Sequence, residues 1–192
     1  MRKCYSANIS WTAHPAPRTP DPGKMTLMST EQHRRTAPAS VRAFVLTISD
    51  TRTPEDDASG DTIAELLTAA GHELSGRNLV KDDPEAVRAA VQQAAGTAQV
   101  VITTGGTGIT SRDSTYEAIT GLLDKKLDGF GELFRMLSFG EIGSAAMLSR
   151  ACAGTVRTAA VFSLPGSENA VRLAMTRLIL PEIGHVVREL SR

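Results

Sequence analysis

The chain has 192 residues, 41% of them hydrophobic and only 4% aromatic; that suffices for one domain with an aliphatic core and is short for two. Its 21 basic and 21 acidic residues cancel, so no general basic field recommends nucleic acid as a partner, while a local cationic pocket stays open. No apolar run reaches the length of a membrane span, no apolar leader follows Arg2-Lys3, and Cys4 and Cys152 share no metal or redox spacing, so ordinary thiols in a reducing cytoplasm are expected.

Residues 1–40 carry Pro15, Pro17, Pro20, Pro22 and Pro38 among Ser, Thr, Arg and His, without sustained periodicity. A disordered extension is expected there, with Trp11 an isolated aromatic and Met25 and Met28 alternative starts. The folded domain is expected over 41–192. Phe44 to Ile48 reads as a buried strand ending at Ser49-Asp50, followed by a polar loop through Pro54. Ile63, Leu66, Leu67 and Ala70 share one helical face, with Ser59 as the expected N-cap and Gly71 as the stop. Glu73 to Val80 reads as a second strand. Asp83-Pro84 reads as cap and first helical residue, ahead of a stripe at Val87, Ala90, Val91 and Ala94.

Val100 to Thr103 is a continuous apolar and β-branched strand. Ser114 suits the start of a helix ending near Gly121. Residues 129–139 place Phe130, Leu133, Phe134 and Leu137 on one helical face, and Met136 and Met147 are expected in the core. A buried strand over 158–164 leads to Pro165-Gly166-Ser167, then to a helix from Glu168 broken or bent near Pro181. Continuous rather than alternating apolar strands predict an α/β fold, a parallel sheet covered on both faces.

Three strands thus end in polar or glycine-rich loops, and the C-terminal edge of an open parallel sheet is where ligands bind. The segment Thr104-Gly105-Gly106-Thr107-Gly108 matters most. Glycines let backbone N–H groups turn toward an anion, and threonine hydroxyls add donors. A bare strand-to-helix turn would explain two glycines; the threonines, with Arg112 and Asp113 close behind, argue for phosphate. No Lys-Ser/Thr follows as in a P-loop, and no G-x-G-x-x-G follows the first strand. Asp50, Asp82 and Asp113 each follow a predicted strand and are candidate partners for a magnesium–nucleotide complex. Asp57 and Asp61 flank Ser59-Gly60, where helix capping competes with ligand contact. His14, His33, His72 and His185 lack metal spacing and partners and are assigned to surface or packing.

The motifs LTISDTR, DDASGDTIAELL, VVITTGGTGITSRD, GFGELFRMLSFGEIGSAAMLSR and LPGS resemble the MoaB/MogA family of molybdenum cofactor biosynthesis proteins, across nearly everything but the extension. The fourth points to the MoaB branch. The resemblance implies a three-layer α/β/α molybdopterin-binding domain that forms homo-oligomers, trimers or hexamers. It implies Mg²⁺-dependent adenylylation of molybdopterin by ATP, giving adenylyl-molybdopterin and diphosphate, and a partner that later inserts molybdate. Carried over by position, Thr104 to Gly108 would cradle phosphate, and Asp82 and Asp113 would be the catalytic, magnesium-positioning acids. Asp50, Ser59 and Gly60 would line the pocket, Pro165, Gly166 and Ser167 would form its second loop, and Arg112 would add positive charge. The family often has proline where Lys81 stands and Pro-Lys where Glu168-Asn169 stand, so a basic contact at the second loop is missing from the pattern. A non-catalytic molybdopterin-binding oligomer is the alternative, and a related domain acting on nicotinamide nucleotides a third.

Overall fold

The computed structural model describes residues 36–111 and 113–192. Arg112 and the first 35 residues, with Cys4, Trp11, His14, Met25, Met28 and His33, lie outside the described residues. Among the described residues six strands and six α-helices follow one another: β1 (Arg42–Ile48), α1 (Ala58–Ala69), β2 (Glu73–Val80), α2 (Pro84–Ala95), β3 (Val100–Thr104), α3 (Thr115–Thr120), β4 (Lys125–Lys126), α4 (Asp128–Ile142), β5 (Cys152–Val156), β6 (Ala159–Leu164), α5 (Glu168–Ala174) and α6 (Leu180–Leu190). One sheet orders them β2-β1-β3-β6-β5-β4. The four strands from β2 to β6 run parallel, whereas β5 and β4 run antiparallel at one edge.

Successive strand residues point to opposite faces, and each face of this sheet has its own core. On one side Val45, Ile102 and Phe162 pack with Ile63 and Leu67 of α1, Phe130 and Phe134 of α4, and the C-terminal helices. On the other, Leu46, Val101 and Val161 pack with Val87 and Val91 of α2 and with Ala118 and Ile119 of α3. This is the three-layer α/β/α arrangement. It explains why β1, β3 and β6 are apolar at nearly every position: neither face meets water. Phe162 makes an edge-to-face contact with Phe130, whose ring centroid lies 5.3 Å away.

Most predicted elements lie where expected, and the differences have physical causes. Asp57, not Ser59, caps α1: its carboxylate accepts the N–H of Gly60, while Ser59 is buried inside the first turn. Gly71 does stop that helix, with φ +82°, and Ala70 is exposed rather than packed. Asp83 caps α2 as predicted, accepting the N–H of Ala86 at 2.8 Å. Ser114 sits at the start of α3 but makes no side-chain cap there.

The C-terminal helix breaks as expected: a π turn over Met175–Ile179 separates α5 from α6, and Pro181 stands in the first turn of α6, where its missing N–H costs least. Strands β4 and β5 were not predicted. Met136 and Met147 are not in the core. They are 62% and 79% exposed and line one surface hollow with Phe139. His185 has a partner after all, Glu182 at 3.0 Å. Burial pushes the Cys152 thiol up to about 11, in keeping with an unreactive cysteine. Among the described residues no helix is long and apolar enough to cross a membrane.

Candidate functional site

Four neighbouring parallel strands place their C-terminal ends along one edge, and every described candidate residue lies there. The strand ends are laced together by backbone bonds. Ser49 N–H donates to Val80 O at 2.9 Å, and Gly105 N–H to Leu164 O at 3.1 Å. The Thr104 hydroxyl donates to Pro165 O at 3.1 Å, so the glycine loop and the Pro165-Gly166-Ser167 loop form one surface. Gly105 has φ +102°, and a Cβ there would lie 2.1 Å from Ile48 O. Only glycine permits β3 to turn this close to β1.

The Gly105 N–H is spent on β6, so the donors left to the loop come after it. Among the described residues, no partner takes the N–H of Gly106 or Thr107. The two candidate acids stand against this loop. A Cβ on Gly106 (φ +62°) would come within 2.6 Å of Asp82 Oδ2, and one on Gly108 within 2.6 Å of Asp113 Oδ2. Asp82 is held through its other oxygen, Oδ1, which accepts from the Ser114 hydroxyl at 3.1 Å, the Thr115 hydroxyl at 3.0 Å and the Ser114 N–H at 3.3 Å. Asp113 Oδ2 accepts from the Thr110 hydroxyl at 2.6 Å and its N–H at 2.9 Å. The hydroxyl bond is the main reason its carboxyl titrates below the usual aspartate value; the charge of Arg150 adds to this and partial burial opposes it.

The remaining candidates frame the loop. Asp50 Oδ1 accepts the Asp82 N–H at 3.2 Å. Lys81, standing where the family often has proline, donates to Asp50 O at 2.6 Å. Gly60 is confined: a Cβ there would meet Asp57 Oδ2 at 2.1 Å. Asp57 itself is buried, accepting from the Thr47 hydroxyl at 2.6 Å and pairing with Arg77 at 3.2 Å; Asp61 pairs with Arg77 at 2.6 Å. Ser167 caps α5, accepting the Ala170 N–H at 3.3 Å.

Two arginines were overlooked in the sequence. Arg52 donates to the Ser59 hydroxyl and, at 2.9 Å, to Gly166 O. It brings a guanidinium to the second loop, where Glu168 is engaged with Arg172 instead. Arg150 donates to Thr107 O of the glycine loop at 3.0 Å. Both lie within motifs that resemble the family, but neither has a spacing that reports a long-range contact. Among the described residues no three Asp, Glu, His or Cys side chains converge to cage a metal ion.

A mostly parallel sheet with a glycine loop and oriented carboxylates at the C-terminal ends of its parallel strands defines an α/β domain with its candidate site at those strand ends. The chain belongs to the family described as "Probable molybdopterin binding domain", whose model matches residues 44–185. It is 55% identical over 170 residues to molybdenum cofactor biosynthesis protein B of Bacillus cereus, covering 86% of this chain and 99% of that one. A crystal structure of molybdenum cofactor biosynthesis protein B superposes with a TM-score of 0.78 at 55% identity, covering 82% of this chain and 99% of the other. The tungsten cofactor synthesizing protein MoaB of Pyrococcus furiosus superposes with a TM-score of 0.74 at 41% identity, covering 81% and 100%.

Proposed function

We propose that the chain acts in molybdenum cofactor biosynthesis by adenylylating molybdopterin with ATP. One observation carries this reading: a glycine loop with two N–H groups unengaged by the described residues, set against Asp82 at Gly106 and Asp113 at Gly108. The family match to a molybdopterin-binding domain supports the substrate, and the names of its relatives support the pathway.

In the proposed reaction an oxygen of the molybdopterin phosphate bonds to the α-phosphorus of ATP. The bond from that phosphorus to the oxygen bridging to the β-phosphate breaks, and diphosphate leaves with the electron pair. The nucleophile is already ionised at neutral pH, so no general base is needed. The protein's work is to align two anions that repel each other. The N–H groups of Gly106 and Thr107 would face phosphate oxygens, with Arg112 adding charge. Asp50, Ser59, Gly60, Pro165, Gly166 and Ser167 would frame the substrates.

Asp82 and Asp113 suit Mg²⁺, which takes one or two carboxylates and completes its shell with phosphate oxygens and water. Asp82 is held through Oδ1, and no described donor takes its Oδ2. Bound there, the ion would neutralise charge on the phosphates. The exposed apolar face of α4 supports the further proposal that copies of this chain assemble through it.

Diphosphate release from ATP, with molybdopterin and Mg²⁺, tests the reading in wild type and Asp113→Asn, which keeps the side chain's shape. Turnover by wild type and a loss of about a hundredfold or more in the variant, with molybdopterin still bound, is expected. Molybdopterin binding without diphosphate release by wild type would make the protein a non-catalytic binding oligomer.

A further inference from the structure

Arg150 plays no part in the phosphate contacts proposed for the Gly106 and Thr107 N–H groups, yet it bonds to the carbonyls of the same loop. It enters from a 3₁₀ turn, Gly143–Leu148, and stands just before β5. Nε donates to Thr107 O at 3.0 Å. Nη2 donates to Gly108 O and, at 3.3 Å, to Asp113 O. Nη1 pairs with Glu117, and the guanidinium lies 4.9 Å from the centroid of the Tyr116 ring. A planar fork with five donors can meet carbonyls arranged this way; an ammonium cannot.

The peptide bond is rigid and planar, so fixing one carbonyl fixes the N–H of the next residue in the opposite direction. Holding Thr107 O fixes the peptide plane that leads into Gly108, the residue packed on the Asp113 carboxylate, where a Cβ would lie 2.6 Å from Oδ2. Holding Asp113 O aims the Ser114 N–H, which donates to Asp82 Oδ1 at 3.3 Å. One guanidinium therefore aims a donor at Asp82 and fixes Asp113 by its own carbonyl and by the loop against its carboxylate. We propose that Arg150 is the positioning residue of this site, orienting Asp82 and Asp113 together through the glycine loop. The proposal rests on the adenylylation reading for its kinetic consequence, but its geometric consequence stands without turnover.

The test compares wild type, Arg150→Lys and Arg150→Ala, each first checked for a native circular dichroism spectrum. Two readouts are taken: steady-state diphosphate release, and hydrogen exchange by NMR of the Ser114 N–H, the donor on Asp82. Expected is a kcat lower by about a hundredfold in Arg150→Ala, with KM for ATP changed only a few-fold. The Ser114 N–H should exchange about tenfold faster or more in that variant. Lysine should not restore kcat, and millimolar guanidinium ion added to Arg150→Ala should restore part of it. A folded Arg150→Ala protein with wild-type kcat and unchanged Ser114 exchange would overturn the proposal. If wild type releases no diphosphate, the adenylylation reading fails while the NMR arm still decides on Arg150: faster Ser114 exchange supports it, unchanged exchange overturns it. Should Arg150→Ala not fold, Arg150→Lys carries both readouts, and wild-type values there overturn the proposal equally.

Discussion

Thr110 decides how Asp113 titrates. Its hydroxyl, 2.6 Å from Oδ2, is the largest influence holding that carboxyl below the ordinary aspartate value. A carboxyl depressed in the folded state contributes stability above its unfolded pKa, and that contribution is lost as pH falls through the folded midpoint. Thr110→Val removes the hydroxyl donor and keeps the backbone one. The Asp113 midpoint in that variant should rise toward the ordinary aspartate value. Carboxyl NMR titration of the two proteins checks this, and identical midpoints would exclude the hydroxyl as the cause.

The glycine loop, Asp50, Asp82, Asp83 and Asp113 were legible in the sequence because local chemistry marks them: a strand end, a glycine run, a proline after a cap. Arg52 and Arg150 were not, since each meets partners far along the chain. Arg150 touches Thr107 from 43 residues away and Arg52 touches Gly166 from 114, and no period or motif spacing encodes such a contact. Ser59 misled for a different reason: Asp57 and Ser59 can both cap a helix, and burial of the Thr47–Asp57 hydrogen bond settles the choice.

At the scale of elements, the parallel strands were readable because burial on both faces leaves an unbroken apolar run. Strand β5 was not, since Cys152-Ala153-Gly154-Thr155-Val156 is short and carries a glycine. It also joins β6 through Arg157-Thr158, without the Asn-Gly or Asp-Gly that announces a tight hairpin. Arg157 adopts φ +54° there, with its N–H donating to Asp124 at 2.6 Å. Helix α4 shows the limit of periodicity from the other side. Its pattern predicts a helix with one packed face, but apolar residues cover more of its circumference than the sheet can bury.

The packed face of α4 depends on Phe134, 1% exposed beside Phe130. Phe134→Ala should lower unfolding stability by about 3–5 kcal/mol, the usual effect of emptying an aromatic core site. Urea denaturation of the two proteins measures it. A change under about 1 kcal/mol would mean that neighbouring side chains close the cavity.

For the whole molecule, the outward face of α4 is the feature the core does not explain. Met136 and Phe139 of this helix and Met147 of the turn after it line one hollow, each more than half exposed. Apolar residues gathered this way mark a contact surface. A double Met136→Glu, Phe139→Glu protein should fold and run as a monomer by light scattering where wild type runs as a larger species. Equal masses would exclude this face as the site of assembly. The two methionines had been expected inside because sequence shows only that a residue is apolar; whether its cover comes from its own chain or another is a property of three dimensions.

The far end of the sheet bears on how such an aliphatic protein stays out of trouble when crowded. Its outermost strand is two residues long, and both, Lys125 and Lys126, are exposed. An incoming strand would find one short rung and two ammonium groups, too little ladder and too much like charge to extend a ribbon. The wholly buried β3 is shielded on both sides by its neighbours β1 and β6. The most deeply buried strand is thus kept in the middle of the sheet, and the rim at β4 is cationic and blunt.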